Sequence, residues 1–195
     1  TDTATYSGGM RIELPTGKDQ VGSFFVPLVY SNEDFFFTPY LAALLKPSQD
    51  VFVQSFVGYR FSTEKGTLNT LIPGLSGERR TPDILFADIS IGYWAYRSNE
   101  GRIRGITPTI ELHYQGTTEG VDGILAGIFG TTDQLNLTAG VTTLLGENTT
   151  LAIGAALPLR DGVGTGFTPF GPVTRATDRF FDWELMVQLN MYFGK

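Results

Sequence analysis

The segment Phe180-Phe-Asp-Trp-Glu-Leu-Met-Val-Gln-Leu-Asn-Met-Tyr-Phe193 decides the reading of this chain. Its odd positions, Phe181, Trp183, Leu185, Val187, Leu189, Met191 and Phe193, are all apolar, whereas Asp182, Glu184, Met186, Gln188, Asn190 and Tyr192 form a mostly polar set. Side chains of a strand point to opposite faces with period two, so the segment predicts one face for hydrocarbon or core and one for a polar interior or water. Running from residue 180 to 193, it is more than twice the usual globular strand of about 5–6 residues and suits a tilted strand crossing a bilayer. The expectation is a bacterial outer-membrane β-barrel.

Composition narrows the class. Of the 195 residues 42% are hydrophobic, 13% aromatic and only 17% charged, with 24 glycines and a net charge of −6. A soluble domain carries about 25% charged residues, and a helical membrane protein would show apolar runs of about 18 residues or more, which this chain lacks. The acidic balance argues against a nucleic-acid partner, which would meet a basic face. Cysteine is absent, which removes disulfides and thiol chemistry and is compatible with passage through an oxidising periplasm. Thr1 to Thr5 has neither the basic start nor the apolar stretch of a signal peptide, so the sequence reads as a mature chain or as a piece of something longer.

The same alternation recurs along the chain. Period-two segments are predicted at 4–14, 34–45, 50–61, 84–97, 105–116, 133–145, 149–159 and 180–193, giving an all-β, antiparallel transmembrane barrel of eight strands in a single domain, 1–195. Connections at 46–49, 98–104 and 146–148 are short, and those at 15–33, 62–83, 117–132 and 160–179 are long. Outer-membrane barrels are built in this way, with short periplasmic turns and long outer loops, which would leave both termini in the periplasm. Twelve residues tilted by roughly 40° rise about 30 Å and cover the apolar band of about 25 Å.

A soluble lipocalin-like barrel or sandwich is the main alternative, because it has similar strands but turns its apolar face inward. The polar faces favour the membrane form. The sixth segment reads Gln134, Asn136, Thr138, Gly140, Thr142 and the seventh Thr150, Ala152, Gly154, Ala156, two adjacent faces with no charge. A face wetted by bulk solvent would carry Lys and Glu. Opposite them stand Leu135, Leu137, Ala139, Val141 and Leu151, Ile153, Ala155, Leu157. Tyr6, Phe35, Phe37, Tyr59, Phe61, Tyr93, Tyr114, Phe181, Trp183 and Phe193 lie toward segment ends on the proposed outer face, where aromatic girdles sit, although aromatics also favour strands in general. Pro39, Pro108 and Pro158 cannot donate to a ladder, and each is expected to mark a bulge or a strand end.

Residues Gly9-Met-Arg-Ile-Glu-Leu-Pro-Thr-Gly-Lys-Asp19, a strand running into Pro-Thr-Gly, resemble a signature of the transporter-like outer-membrane family of the meta-pathway of phenol degradation. The stretch from Phe37-Thr-Pro-Tyr40 through Lys46-Pro-Ser-Gln-Asp-Val-Phe-Val-Gln-Ser-Phe56 is similar to hairpins of planctomycete-like members of that group. These matches cover roughly the first third of the chain, and the remainder resembles the family in its barrel pattern. Family members are usually longer, so the resemblance allows this chain to be the C-terminal eight strands of a larger barrel. It implies passage or binding of small hydrophobic or aromatic compounds and names no catalytic residue.

The proposed lumen-facing charges are Arg11, Glu13, Arg60, Asp88, Glu111, His113, Asp182 and Glu184. Unpaired burial of charge is expensive, so a network of Arg11, Arg60, Glu13 and Glu111 is expected, holding the interior together or acting as a selectivity filter. His113, the single histidine, shares a face with Glu111. Such a pair can move protons, but without a nucleophile or third member it does not define a catalytic site, and no other His or Cys completes a metal site. No cofactor is expected. Two long connections are apolar, Ser23-Phe-Phe-Val-Pro-Leu-Val-Tyr30 and Val121-Asp-Gly-Ile-Leu-Ala-Gly-Ile-Phe129. Phe24, Phe25, Ile124, Leu125 and Phe129 are expected to form a hydrophobic mouth or to contact a protein partner, unless residues 23–30 simply extend a strand. The connections at 62–83 and 160–179 read as solvated loops.

Three functions follow: a passive channel or binding barrel for small apolar solutes, surrounded by outer-membrane lipid; a structural or partner-docking barrel with a filled lumen, since eight closed strands leave room only for side chains; and an outer-membrane enzyme using Glu111 and His113, which is the least supported.

Overall fold

A computed structural model describes residues 3–16, 20–24, 26–30, 34–63, 66–70, 77–79, 81–118, 132–168, 171–176 and 178–193. Among them there is no helix. The strands are β1 (Ala4–Glu13), β2 (Gln20–Phe24), β3 (Val26–Tyr30), β4 (Phe36–Leu45), β5 (Val51–Ser62), β6 (Gly66–Thr70), β7 (Gly77–Arg79), β8 (Ile84–Tyr93), β9 (Tyr96–Arg97), β10 (Ile103–Thr117), β11 (Asp133–Leu145), β12 (Thr149–Pro158), β13 (Val163–Thr168), β14 (Gly171–Ala176) and β15 (Glu184–Met191).

Eight of these form an antiparallel meander in the order β1-β4-β5-β8-β10-β11-β12-β15, with β9 as a ninth strand on β10. They are the eight segments expected from the alternation. The expected closure is not present. β1 and β15 are the two edges of an open sheet and do not pair with each other. Period-two alternation fixes the face on which each side chain falls, but it carries no information about whether the first and last backbones meet. The long connections also differ from expectation, because they carry structure of their own. β2, β3, β6 and β7 form a separate four-stranded sheet, and β13 pairs with β14. Residues 23–30 therefore belong to a hairpin, and the connections at 62–83 and 160–179 are not plain loops.

The short connections are tight turns. Ser48 Oγ accepts hydrogen bonds from the N–H groups of Asp50 and Val51 at 3.3 and 3.1 Å, closing the turn between β4 and β5. Gly146 opens the turn from β11 to β12 with φ +63°, a left-handed conformation that favours glycine.

The three prolines explain where the ladder breaks. N–H groups along a strand point alternately to its two neighbours. Lys46 N–H donates to Thr3 O beside β1, so Pro39 turns its nitrogen toward β5, where Thr38 and Pro39 drop out of the register between Phe37↔Phe61 and Tyr40↔Gly58. Thr117 N–H donates to Thr132 O, so Pro108 faces β8, and there the register slips by one residue between Gly92↔Thr109 and Tyr96↔Ile106. Leu159 N–H donates to Leu135 O, so Pro158 faces β15, whose pairing ends at Glu184↔Ala156. The last strand is therefore shorter than its alternation predicts. Phe180–Trp183 would have to pair across a proline that has no N–H.

Exposure is inverted relative to a soluble protein. In the eight main strands, large apolar side chains exposed to the outside include Tyr6, Met10, Leu41 (72%), Val57, Ile89, Ile110, Ile153 and Val187 (64%). By register these lie on one face, the convex one; Met186 is the single large exposed exception on the other. The side chains buried in those strands, Thr38, Ser62, Ser90, Thr107, Gln134 (6%), Thr138 and Ala156, all share the concave face, and only Ala156 is apolar. At about 4.8 Å between strands and about 3.3 Å per residue, the convex apolar surface is on the order of 1,000 Å², well above the few hundred Å² typical of soluble monomers. Aromatic residues edge it: Phe37 and Phe61 stack at 5.9 Å and Tyr59 meets Phe61 at 6.0 Å near the long connections, while Tyr6 and Tyr93 lie toward the short turns.

Gly140 and Gly154 lie opposite each other in β11 and β12, and a Cβ on Gly140 would sit 2.9 Å from Ile153 O and 3.1 Å from Gly154 Cα. Because backbone rather than a flexible side chain blocks it, Gly140→Ala is expected to lower stability by about 1–3 kcal/mol. Gly58→Ala, whose Cβ meets the Phe56 ring edge at 3.2 Å, should cost less than about 1 kcal/mol. Urea titration followed by tryptophan fluorescence checks the order of the two.

Candidate functional site on the concave face

The concave face concentrates its ionisable groups in two clusters. The first is built by the pairing of β8 with β10. His113 stands directly opposite Asp88, and Glu111, two residues earlier on the same strand, shares the face. The imidazole bridges the two carboxylates, with Nδ1 3.0 Å from Asp88 Oδ1 and Nε2 3.2 Å from Glu111 Oε2. The Nδ1 contact is a hydrogen bond, and because an ionised carboxylate only accepts, the ring nitrogen is its donor. The cluster separates two hollows. One, of about 360 Å³, is walled by Ala42, Leu44, Gln54, Phe56 and Ser90 together with Asp88, Glu111 and His113. The other, of about 380 Å³, lies toward β11, β12 and β15 and is lined by Thr138, Gly140, Ala152, Gly154 and Gln188.

The second cluster lies nearer the long connections. Glu13 takes Arg11 Nε at 3.4 Å and reaches over β4 to Arg60 Nη2 at 3.7 Å on β5. Arg60 also lies over the Phe36 ring, 3.9 Å from its centroid. The expected network of Arg11, Arg60, Glu13 and Glu111 is thus three-quarters present. Glu111 belongs instead with His113, because the register sets it opposite Ser90 rather than near β1. Asp182 pairs with Arg179 at 3.3 Å, before β15 begins, and Glu184 opens β15 opposite Ala156; neither is an ion-pair partner in the two clusters.

Several concave-face residues were not picked out by sequence reasoning. Phe36, Tyr40, Phe52, Phe56 and Phe86 put five aromatic rings on the concave side of β4, β5 and β8. The signal was available, because each breaks the polar half of the alternation at an even position. Three lie over glycines. A Cβ on Gly9 would be 2.6 Å from the Tyr40 hydroxyl, one on Gly58 would press on Phe56, and one on Gly92 would fall within the Phe52 ring. Asp34 and Asp83 are the other omissions. Both are buried near the long connections, where Thr81 Oγ1 donates to Asp34 Oδ2 at 2.6 Å and the Tyr59 hydroxyl donates to Asp83 Oδ2 at 2.9 Å.

No family model, curated protein or solved structure matches this chain. Of the expected hydrophobic mouth, Phe25, Ile124, Leu125 and Phe129 lie outside the described residues, and Phe24 falls in β2. Among the described residues no three His, Asp or Glu side chains converge as a metal site requires.

The His113 and Asp88 side chains are both 40% exposed, which limits their interaction to about 0.5–1 kcal/mol. A double-mutant cycle with His113→Gln and Asp88→Asn, read by urea unfolding, should return a coupling in that range. The pair His113→Gln and Glu13→Gln, from separate clusters, should be additive within about 0.3–0.5 kcal/mol.

Proposed function

We propose that this chain forms the wall of a bacterial outer-membrane β-barrel that passively admits or binds small hydrophobic or aromatic compounds. The observation that carries the reading is the inversion of the sheet: apolar side chains cover the convex face and polar ones are buried on the concave face. Lipid supplies for the convex face what a core supplies elsewhere, and aromatic residues at its borders suit the headgroup level. In hydrocarbon every backbone N–H and C=O must be paired, so the open edges of β1 and β15 close on each other or on further strands of a larger barrel. The resemblance of residues 9–19 and 37–56 to the meta-pathway family supports the solute class. So do the five aromatic rings on the concave wall.

Binding or passage is preferred to catalysis. Nδ1 of His113 is hydrogen-bonded to Asp88 Oδ1 and Nε2 lies 3.2 Å from Glu111 Oε2, and neither ring nitrogen has a hydroxyl such as that of Ser90 as its partner. A filled, purely structural barrel is the competing account, and solute uptake separates the two.

The chain is expected to require detergent for extraction and to migrate differently on gels before and after heating, since a closed ladder opens as a whole. In bilayers, Leu189→Arg on the convex face should cost about 2–4 kcal/mol near the midplane, with Asn190→Ala mild. Monodisperse behaviour without detergent, or the reverse order of the two variants, would overturn the membrane assignment.

Liposomes carrying the protein should take up phenol faster than inorganic phosphate, because the acidic concave face opposes anions and phenol desolvates readily. Uptake of both at the rate of protein-free liposomes would leave the structural barrel as the better account.

A further inference from the structure

We propose that the hollow between β5, β8 and β10 is a binding site for a small molecule carrying a primary ammonium group on an apolar or aromatic body. This deepens the reading of the concave face as a lumen, and rests on it for the solute to reach the hollow. The hollow, about 360 Å³ in volume, reaches from β1 and β4 across to β10: on one side Ala42, Leu44 and Phe56 give it an apolar part among Thr5, Ser7 and Gln54, and on the other stand Asp88, Ser90 and Glu111.

The polar side has three acceptors left over. His113 occupies Asp88 Oδ1 and Glu111 Oε2, so each carboxylate keeps a second oxygen without a hydrogen-bond or ion-pair partner among the described residues. Ser90 supplies the third. It is nine-tenths buried, it lines the hollow, and its hydroxyl has no hydrogen-bond partner among the described residues. Its oxygen stays open to the hollow, where a ligand's donor can reach it. Local charge completes the picture. Two carboxylates against one imidazole leave a net negative site in either protonation state of the ring, and Arg60 is four residues farther along β5 than Phe56, about 13 Å away.

The geometry selects among cations. A guanidinium pairs best with both oxygens of one carboxylate, and here each carboxylate has one oxygen already taken. A quaternary ammonium has no N–H for Ser90. A primary ammonium has three donors for Asp88, Glu111 and Ser90, and its body can lie on Phe56, which stacks with Tyr40 at 5.7 Å.

The test compares 2-phenylethylamine with 2-phenylethanol, which share the same body, by calorimetric titration of the full chain at neutral pH. The folded state, in detergent or in buffer, is verified by its β-sheet circular dichroism. The amine should bind about ten-fold or more tightly than the alcohol. Asp88→Asn and Glu111→Gln should each weaken the amine about ten-fold, Ser90→Ala about three-fold, and the turn variant Glu147→Gln less than about two-fold. Equal binding of the two compounds, absence of binding, or an equal loss in Glu147→Gln overturns the proposal. The wild-type comparison decides the matter even where a variant does not fold. Amine preference in a protein that needs no detergent would remove the barrel reading alone; detergent dependence and heat-modified migration without amine preference would remove this inference alone.

Discussion

Backbone pairing between neighbouring strands carries the architecture, since side-chain burial supplies so little of it. Among the described residues Ala156 is the one buried apolar side chain, while the concave face buries threonine, serine and glutamine. In water such a sheet would forfeit the hydrophobic term that stabilises ordinary domains, about 1.5–3 kcal/mol for each large side chain left exposed. The ladder compensates only if its surroundings make every unpaired N–H and C=O costly, as hydrocarbon does. The proposed membrane setting would meet that condition, and the convex apolar surface suits it.

The ladder is also where the structure is most local in its exceptions. Each proline in the main sheet interrupts pairing on one side and leaves the other intact, because the missing donor belongs to a single neighbour. Pro39 leaves a gap without changing the register, whereas Pro108 coincides with a one-residue slip that separates β8 from β9. Pro158 ends the β15 ladder instead. Strand length, turn position and edge position in this protein are therefore set as much by three absent hydrogens as by propensity.

The sequence made the faces legible because period two is a strong signal repeated eight times. Strand positions follow from it within a few residues, the last strand excepted, where Phe180–Trp183 keep the alternation but lose their partner at Pro158. Closure was not legible, since edge pairing leaves no mark on side-chain type. The small sheets in the long connections were missed for a related reason: Gly66–Thr70 and Gly171–Ala176 are short and rich in glycine and threonine, so they resemble solvated loops. At the candidate site, the shared face of Glu111 and His113 was readable from their spacing. Asp88 as the third member was not, because it depends on a register between two strands that only the fold supplies.

The rings of Tyr40, Phe56 and Phe52 recline on Gly9, Gly58 and Gly92, each of which acts as a notch in the concave wall. The calibre of the space inside the curve is therefore set by the residues that have no side chain, more than by the large ones that line it. A single added methyl group would tip a ring away from the wall and narrow that space. Width can thus be retuned without altering any of the charges or hydroxyls on the concave face.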